Sequence, residues 1–169
     1  EDAPGDHAER GYLLLPRGLR HFQGGDYDQA RRFGAEAAAI GQRLGDRDLT
    51  ALGVHLQGRA VLAAGEVEAG LALLDEAMVA VATDDLSPQV TGLIYCSVIG
   101  ACRGVYALGR AHEWTTALAD WCDRQPDMVA YTGECRVYRS ELLQLHGAWD
   151  DAIAEARRAG ERLPDQGAA

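Results

Sequence analysis

The sequence has no lysine and no asparagine, only two phenylalanines and two methionines, and no apolar run approaching the length of a membrane span. Each gap excludes something. A phosphate-cradling Gly-x-x-x-x-Gly-Lys loop needs a lysine, so these 169 residues cannot contain one. Neither His-Glu-x-x-His nor Gly-x-Ser-x-Gly occurs, so the common metallopeptidase and hydrolase signatures are missing as well. All 16 basic residues are arginine, which reads as the coding bias of a high-GC bacterial genome rather than as a physical adaptation. A bilayer crossing takes about 20 consecutive apolar residues, and Glu1-Asp2-Ala3-Pro4 offers neither the basic nor the apolar part of a secretion signal. The expectation is a cytoplasmic chain with no membrane contact. Because the first residue is not Met, the sequence is also expected to be a piece of something longer.

Positive charge is scarce overall. Against 26 acidic residues the net charge is −10, which argues against a direct grip on nucleic acid, since that needs clustered cations. The four cysteines, Cys96, Cys102, Cys122 and Cys135, form no Cys-x-x-Cys pair and read as reduced, buried apolar residues. The functional alternative is a metal site built from Cys122, Cys135 and His112 or His146, but ligand-like spacing is missing. No metal or other cofactor is expected.

What the sequence does have is a repeat. Gly25-Asp26-Tyr27-Asp28-Gln29-Ala30 returns as Gly65-Glu66-Val67-Glu68-Ala69-Gly70, as the degenerate Tyr106-Ala107-Leu108-Gly109-Arg110-Ala111, and as Gly147-Ala148-Trp149-Asp150-Asp151-Ala152. The steps are 40, 41 and 41 residues, a period at which each unit is one helical hairpin. A small flexible residue ends one helix, glycine tolerating φ > 0 without a clash, and an acidic or small residue can cap the next. Asp26 and Gln29 have the spacing of a capping box. Small residues at Ala30, Gly70, Ala111 and Ala152, followed seven later by Ala37, Ala77, Leu118 and Ala159, mark a narrow packing seam. The third turn has Tyr106 in place of glycine, from which a hairpin of different angle is expected.

The fold expected is all-α: a right-handed superhelical solenoid of four antiparallel helix pairs over residues 8–163, after a flexible lead-in at 1–7 and before a disordered tail at 164–169. Apolar spacing places helices at about 9–22, 26–44, 48–64, 66–82, 89–105, 109–123, 128–146 and 149–163. Pro16 predicts a kink in the first, and Ser87-Pro88 is a start signal for the fifth. That fifth helix is apolar nearly all round, which predicts enclosure. Leu145, Ile153 and Ala156 are placed on inward faces. Trp114 and Trp121 share a stripe of the sixth helix, either as a core ridge or as a ligand-stacking platform.

The spacing of glycine, large apolar and alanine positions resembles the tetratricopeptide repeat in a long form. More specifically, His55-Leu56-Gln57-Gly58-Arg59-Ala60, Leu74-Asp75-Glu76-Ala77-Met78, Tyr95-Cys96-Ser97-Val98-Ile99, Glu113-Trp114-Thr115, Trp121-Cys122 and Leu145-His146-Gly147-Ala148-Trp149 resemble the helical repeat segment of actinobacterial LuxR-type transcriptional regulators. The resemblance covers Gly11 to Leu163. It implies a regulatory segment lying between an ATPase-like or cyclase-like region and a DNA-binding helix-turn-helix, neither of which is present in these residues.

Aligned on the repeat, the first helix of each pair lines a groove, contributing Tyr12, Leu15, Leu19 and Phe22, then His55 and Arg59, then Cys96 and Arg103, then Glu134 and Glu141. Such a surface is apolar at one end, cationic in the middle and acidic at the other, suited to an extended peptide, a partner domain or a second copy of the chain. The plainer reading is that these side chains are merely exposed. Glu134 and Glu141, seven apart, could pose as paired carboxylates, but a solvated face explains them as well. No nucleophile, base and oxyanion donor can be assembled, so an enzyme is not expected. A small-molecule sensor is the alternative to a protein-binding module, and would need a closed pocket near Trp114, Trp121 and Tyr138.

Overall fold

A computed structural model describes residues 7–124, 129–145 and 147–162, with side chains except those of residues 123, 129–135, 161 and 162. Among the described residues there are eight α-helices and no strand: α1 (Ala8–Gln23), α2 (Tyr27–Leu44), α3 (Arg47–Ala63), α4 (Val67–Ala82), α5 (Pro88–Gly104), α6 (Leu108–Asp123), α7 (Val129–Leu145) and α8 (Trp149–Arg162). Each starts and stops within a residue of the span its apolar spacing predicts. The lead-in before His7 and the tail from 164 lie outside the described residues; His7 itself is the exposed residue before α1. No described helix is long and apolar enough to cross a membrane.

The punctuation is local chemistry. Asp26 Oδ1 accepts from Gln29 N–H at 3.3 Å and Asp46 Oδ1 from Leu49 N–H at 2.9 Å, each satisfying an amide that has no partner inside its helix. Pro88 is the first residue of α5, and Ser87 N–H donates to Asp48 Oδ1 at 2.9 Å, tying that start to α3. At the hairpin turns Gly25, Gly65 and Gly147 have φ of 80°, 94° and 73°. Each donates its N–H to the carbonyl three residues back, and the next residue donates to the carbonyl five back. Tyr106 does the same without being glycine: φ is 59°, its N–H reaches Arg103 C=O at 3.0 Å, and Ala107 N–H reaches Cys102 C=O at 2.8 Å. The missing glycine therefore leaves the turn's hydrogen bonds unaltered, at the cost of a left-handed tyrosine.

The chain divides into two compact units, Glu1–Ile94 and Tyr95–Ala169. In the first, α1 packs on α2, α2 on α3, α3 on α4, and α1 also on α3. Its core holds Leu14, Ala37, Ile40 and Leu49, with Leu15 and Phe33 against them; each large apolar side chain buried there contributes roughly 2 kcal/mol. The backbones of α2 and α3 come into direct contact. A Cβ on Gly53 would sit 2.4 Å from Ala38 N, and one on Gly34 2.8 Å from Gly53 O. Between α3 and α4 the same device recurs, a Cβ on Gly70 falling 2.6 Å from Leu62 N. In the second unit α6 packs on α7 and α7 on α8. All eight seam positions, Ala30, Gly70, Ala111, Ala152, Ala37, Ala77, Leu118 and Ala159, are buried.

Three expected faces are corrected. Leu145, the last residue of α7, is exposed rather than inward, and so are Ile153 and Ala156, the latter two because the buried strip of α8 is Ala152, Glu155 and Ala159, one step round the helix from them. Leu93 is exposed too, so α5 is not enclosed on every side.

Candidate functional site

The candidate face lies in the first unit, on α1 where it crosses α3. The 3.6-residue period of α1 puts Tyr12, Leu15, Leu19 and Phe22 on one stripe. Tyr12 and Leu19 are each 40% exposed, while Leu15 and Phe22 are half-buried and anchor the stripe, Leu15 against the core and Phe22 beside Tyr27 with ring centroids 5.6 Å apart. An apolar strip held at Leu15 and Phe22 and exposed between and beside them is unusual on a face meant only for water.

Polar groups flank it. The Arg59 guanidinium lies over the Phe22 ring, 4.5 Å from its centroid, a cation–π contact that holds the charge in place at the end of the strip. Burial lowers the pKa of Arg59, but a guanidinium remains charged across the physiological range. At the other end Tyr12 O–H donates to Asp46 Oδ1 at 3.2 Å. Partial burial, then the Asp46 carboxylate, raises the phenol to about 12, so Tyr12 presents a neutral hydroxyl.

His55 is not part of this surface. It is 5% exposed, because α3 is flanked by α1, α2 and α4 and the side of α3 bearing it is covered. Burial, and secondarily the charge of Arg59, pushes its imidazole down to about 3. At neutral pH it is an uncharged core residue.

In the second unit Arg103 of α5 forms an ion pair with Glu141 of α7, and its guanidinium lies 4.9 Å from the centroid of the Tyr138 ring. The cationic middle and acidic end expected from the sequence are thus one neutralised pair rather than two zones. Arg103 and Glu141 stand three and six residues before their turn residues, as do Phe22 and Arg59. The same two repeat positions therefore meet in both units, once as ring and cation and once as cation and carboxylate. Cys96 is half-buried, and the side chain of Glu134 lies outside the described ones.

The aromatic pocket expected around Trp114, Trp121 and Tyr138 is differently arranged. Trp121 is buried with its ring 6.3 Å from that of Tyr95, and Tyr138 is occupied by Arg103, so both are packing partners. The indole N–H of Trp114 is buried with no hydrogen-bond partner among the described residues. No group of three or more His, Cys, Asp or Glu among the described residues could hold a metal ion; the Cys135 side chain and His146 lie outside them.

Sequence reasoning missed two clefts of the first unit. One, of about 430 Å³, lies where the ends of α2 and α4 meet the start of α3, lined by Gly41, Thr50, Val54, Glu76, Ala80 and Leu86, with the Arg47–Asp85 ion pair at its edge. The small residues Gly41, Gly45, Ala51, Ala77 and Ala80 make the space, and their coincidence on three helices was the available signal. The other, of about 660 Å³, runs between α1 and α2 past His7, Arg10, Leu13, Arg17, Phe33 and Glu36. Set against protein-family models and against curated proteins, the chain matches none.

Proposed function

We propose that this chain is a non-enzymatic binding module: a tetratricopeptide-like, right-handed solenoid of four antiparallel helix pairs, serving as the interaction segment of a bacterial LuxR-type transcription regulator. It works in the cytoplasm without a cofactor and without touching nucleic acid itself. The strip on α1, closed at one end by Arg59, takes an apolar peptide or partner helix that carries a carboxylate. The observation that carries this reading is the apolar stripe of Tyr12, Leu19 and Phe22, exposed at Tyr12 and Leu19, with a fixed cation stacked on Phe22 at its end. Binding there changes how α1 rides on α3, and so reaches the rest of the regulator through the stacked helices.

Selection of peptides from a displayed library tests it. The native chain should enrich peptides with apolar residues at helical spacing and an acidic residue beside them. Leu19→Asp should abolish their binding, and Arg59→Ala should weaken it about tenfold or more. Peptides that bind both variants as well as the native chain would remove the strip from consideration.

A second reading, a small-molecule effector sensor, is favoured by the cleft bounded by Gly41, Val54 and Leu86. Its volume of about 430 Å³ falls in the range of ligand sites. A metabolite screen by thermal shift separates the two, since Val54→Trp should remove an effector's stabilisation and leave peptide binding intact.

A further inference from the structure

The last helix carries an apolar stripe that α7 does not cover. Ala152, Glu155 and Ala159 of α8 are buried, Glu155 through a pair with Arg136 of α7 at 2.9 Å. About 100° round the helix, at 100° per residue, Trp149, Ile153, Ala156 and Gly160 form a second line. Trp149 is 63% and Ile153 51% exposed, Ala156 is exposed, and a Cβ on Gly160 would meet nothing within 4 Å. Elsewhere in the repeat the C-terminal half of this line is covered, whereas Arg31 and Val67, matching Ile153 and Trp149, are exposed. The residues matching Ala156 and Gly160 are Gly34 and Ala38 in α2, where Gly53 of α3 packs against them, and Leu74 and Met78 in α4, which are buried. The internal repeat thus marks the Ala156–Gly160 half of the stripe as a seat for a helix.

We propose that the helix is α8 of a second copy of this chain, lying antiparallel across the first about a two-fold axis between Ile153 and Ala156. The stripe is self-complementary in that register. The large residues occupy its N-terminal half and the small ones its C-terminal half, so Trp149 lies over the partner's Gly160 and Ile153 over the partner's Ala156. Charge agrees with shape. Asp150 and Arg157 share one edge of the stripe, and the same register brings Asp150 beside the partner's Arg157, twice across the axis. A slip by one turn that sets Trp149 against Ala156 leaves these charges equally close, at about 1.5 Å of rise per residue, so it is Gly160, the smallest residue of the stripe, that favours the first register. An interface of one helix from each copy is small, of the class of weak, transient encounters. This surface is separate from the strip on α1 and α3, and neither depends on the other.

Sedimentation equilibrium of the 169-residue chain reads the result directly. The native mass should rise from one chain toward two across the micromolar range. Gly160→Leu, which has open space around it in the single chain, should stay monomeric with an unchanged circular dichroism spectrum, because the leucine fills the seat of the partner's Trp149. Asp150→Arg should weaken the dimer about tenfold, and Asp150→Arg with Arg157→Asp should restore it. A native chain that remains one copy at every concentration overturns the proposal. So does a dimer indifferent to Gly160→Leu, or a double charge reversal that restores nothing, since either places the contact elsewhere.

Discussion

Tyr106 shows how much of this architecture rests on single backbone positions. It holds a left-handed conformation with φ of 59°, which costs a non-glycine residue about 1 kcal/mol, and its ring is almost wholly exposed, so little packing offsets that cost. Tyr106→Gly should raise stability by about 1 kcal/mol, and Gly65→Ala should lower it by a similar amount. Urea denaturation with an unchanged slope checks both. His55 carries a different signature. Its folded pKa is about 3 against an ordinary 6.5, so between those values the unfolded chain binds the extra proton. Stability therefore falls as pH drops below 6.5, by up to about 1.4 kcal/mol per unit, and this loss ends once pH passes below the folded value. Measured from about pH 6.5 to about pH 5, above the ordinary carboxylate range, His55→Gln should flatten that slope. An unchanged slope would mean that the imidazole is not held neutral by burial.

Helix ends were legible in the sequence because their causes are local: a glycine at each of three turns, Asp26 as a cap, Ser87-Pro88 before α5. The seam was legible because it recurs, and Ala30, Gly70, Ala111 and Ala152 are all buried. Which face of a helix is covered was less so. A single helix's pattern does not show how many neighbours it has, so His55 was placed on the surface although three helices enclose α3, and Ile153 was placed inside although α7 reaches only the adjacent strip. The 430 Å³ cleft needs small residues from three helices at once, which no single stretch announces. Gly53→Ala drives a Cβ to within 2.4 Å of Ala38 N and should cost about 3 kcal/mol by forcing α2 and α3 apart, despite the better helix propensity of alanine. Gly109→Ala, with nothing within 4 Å, should be neutral or stabilise by about 0.5 kcal/mol. Equal effects from the two would show that the close approach of α2 and α3 is not what glycine is there for.

For the molecule as a whole, the two units repeat one idea. Three residues before a turn and six residues before the next lie the side chains that meet between first helices, Phe22 with Arg59 in one unit and Arg103 with Glu141 in the other. Where the pair is an ion pair the surface is neutralised; where it is a ring under a cation, an apolar strip with an available charge is left. That difference is the reason the proposed binding is placed on α1 and α3. The most direct test is a chemical-shift map of the isotopically labelled chain titrated with a peptide selected by it. The account predicts that the perturbed amides and side chains cluster on Tyr12, Leu19, Phe22 and Arg59, with the buried His55 responding weakly and α6 to α8 not at all. Perturbations centred on the cleft of Gly41, Val54 and Leu86, or spread evenly over the chain, would contradict it.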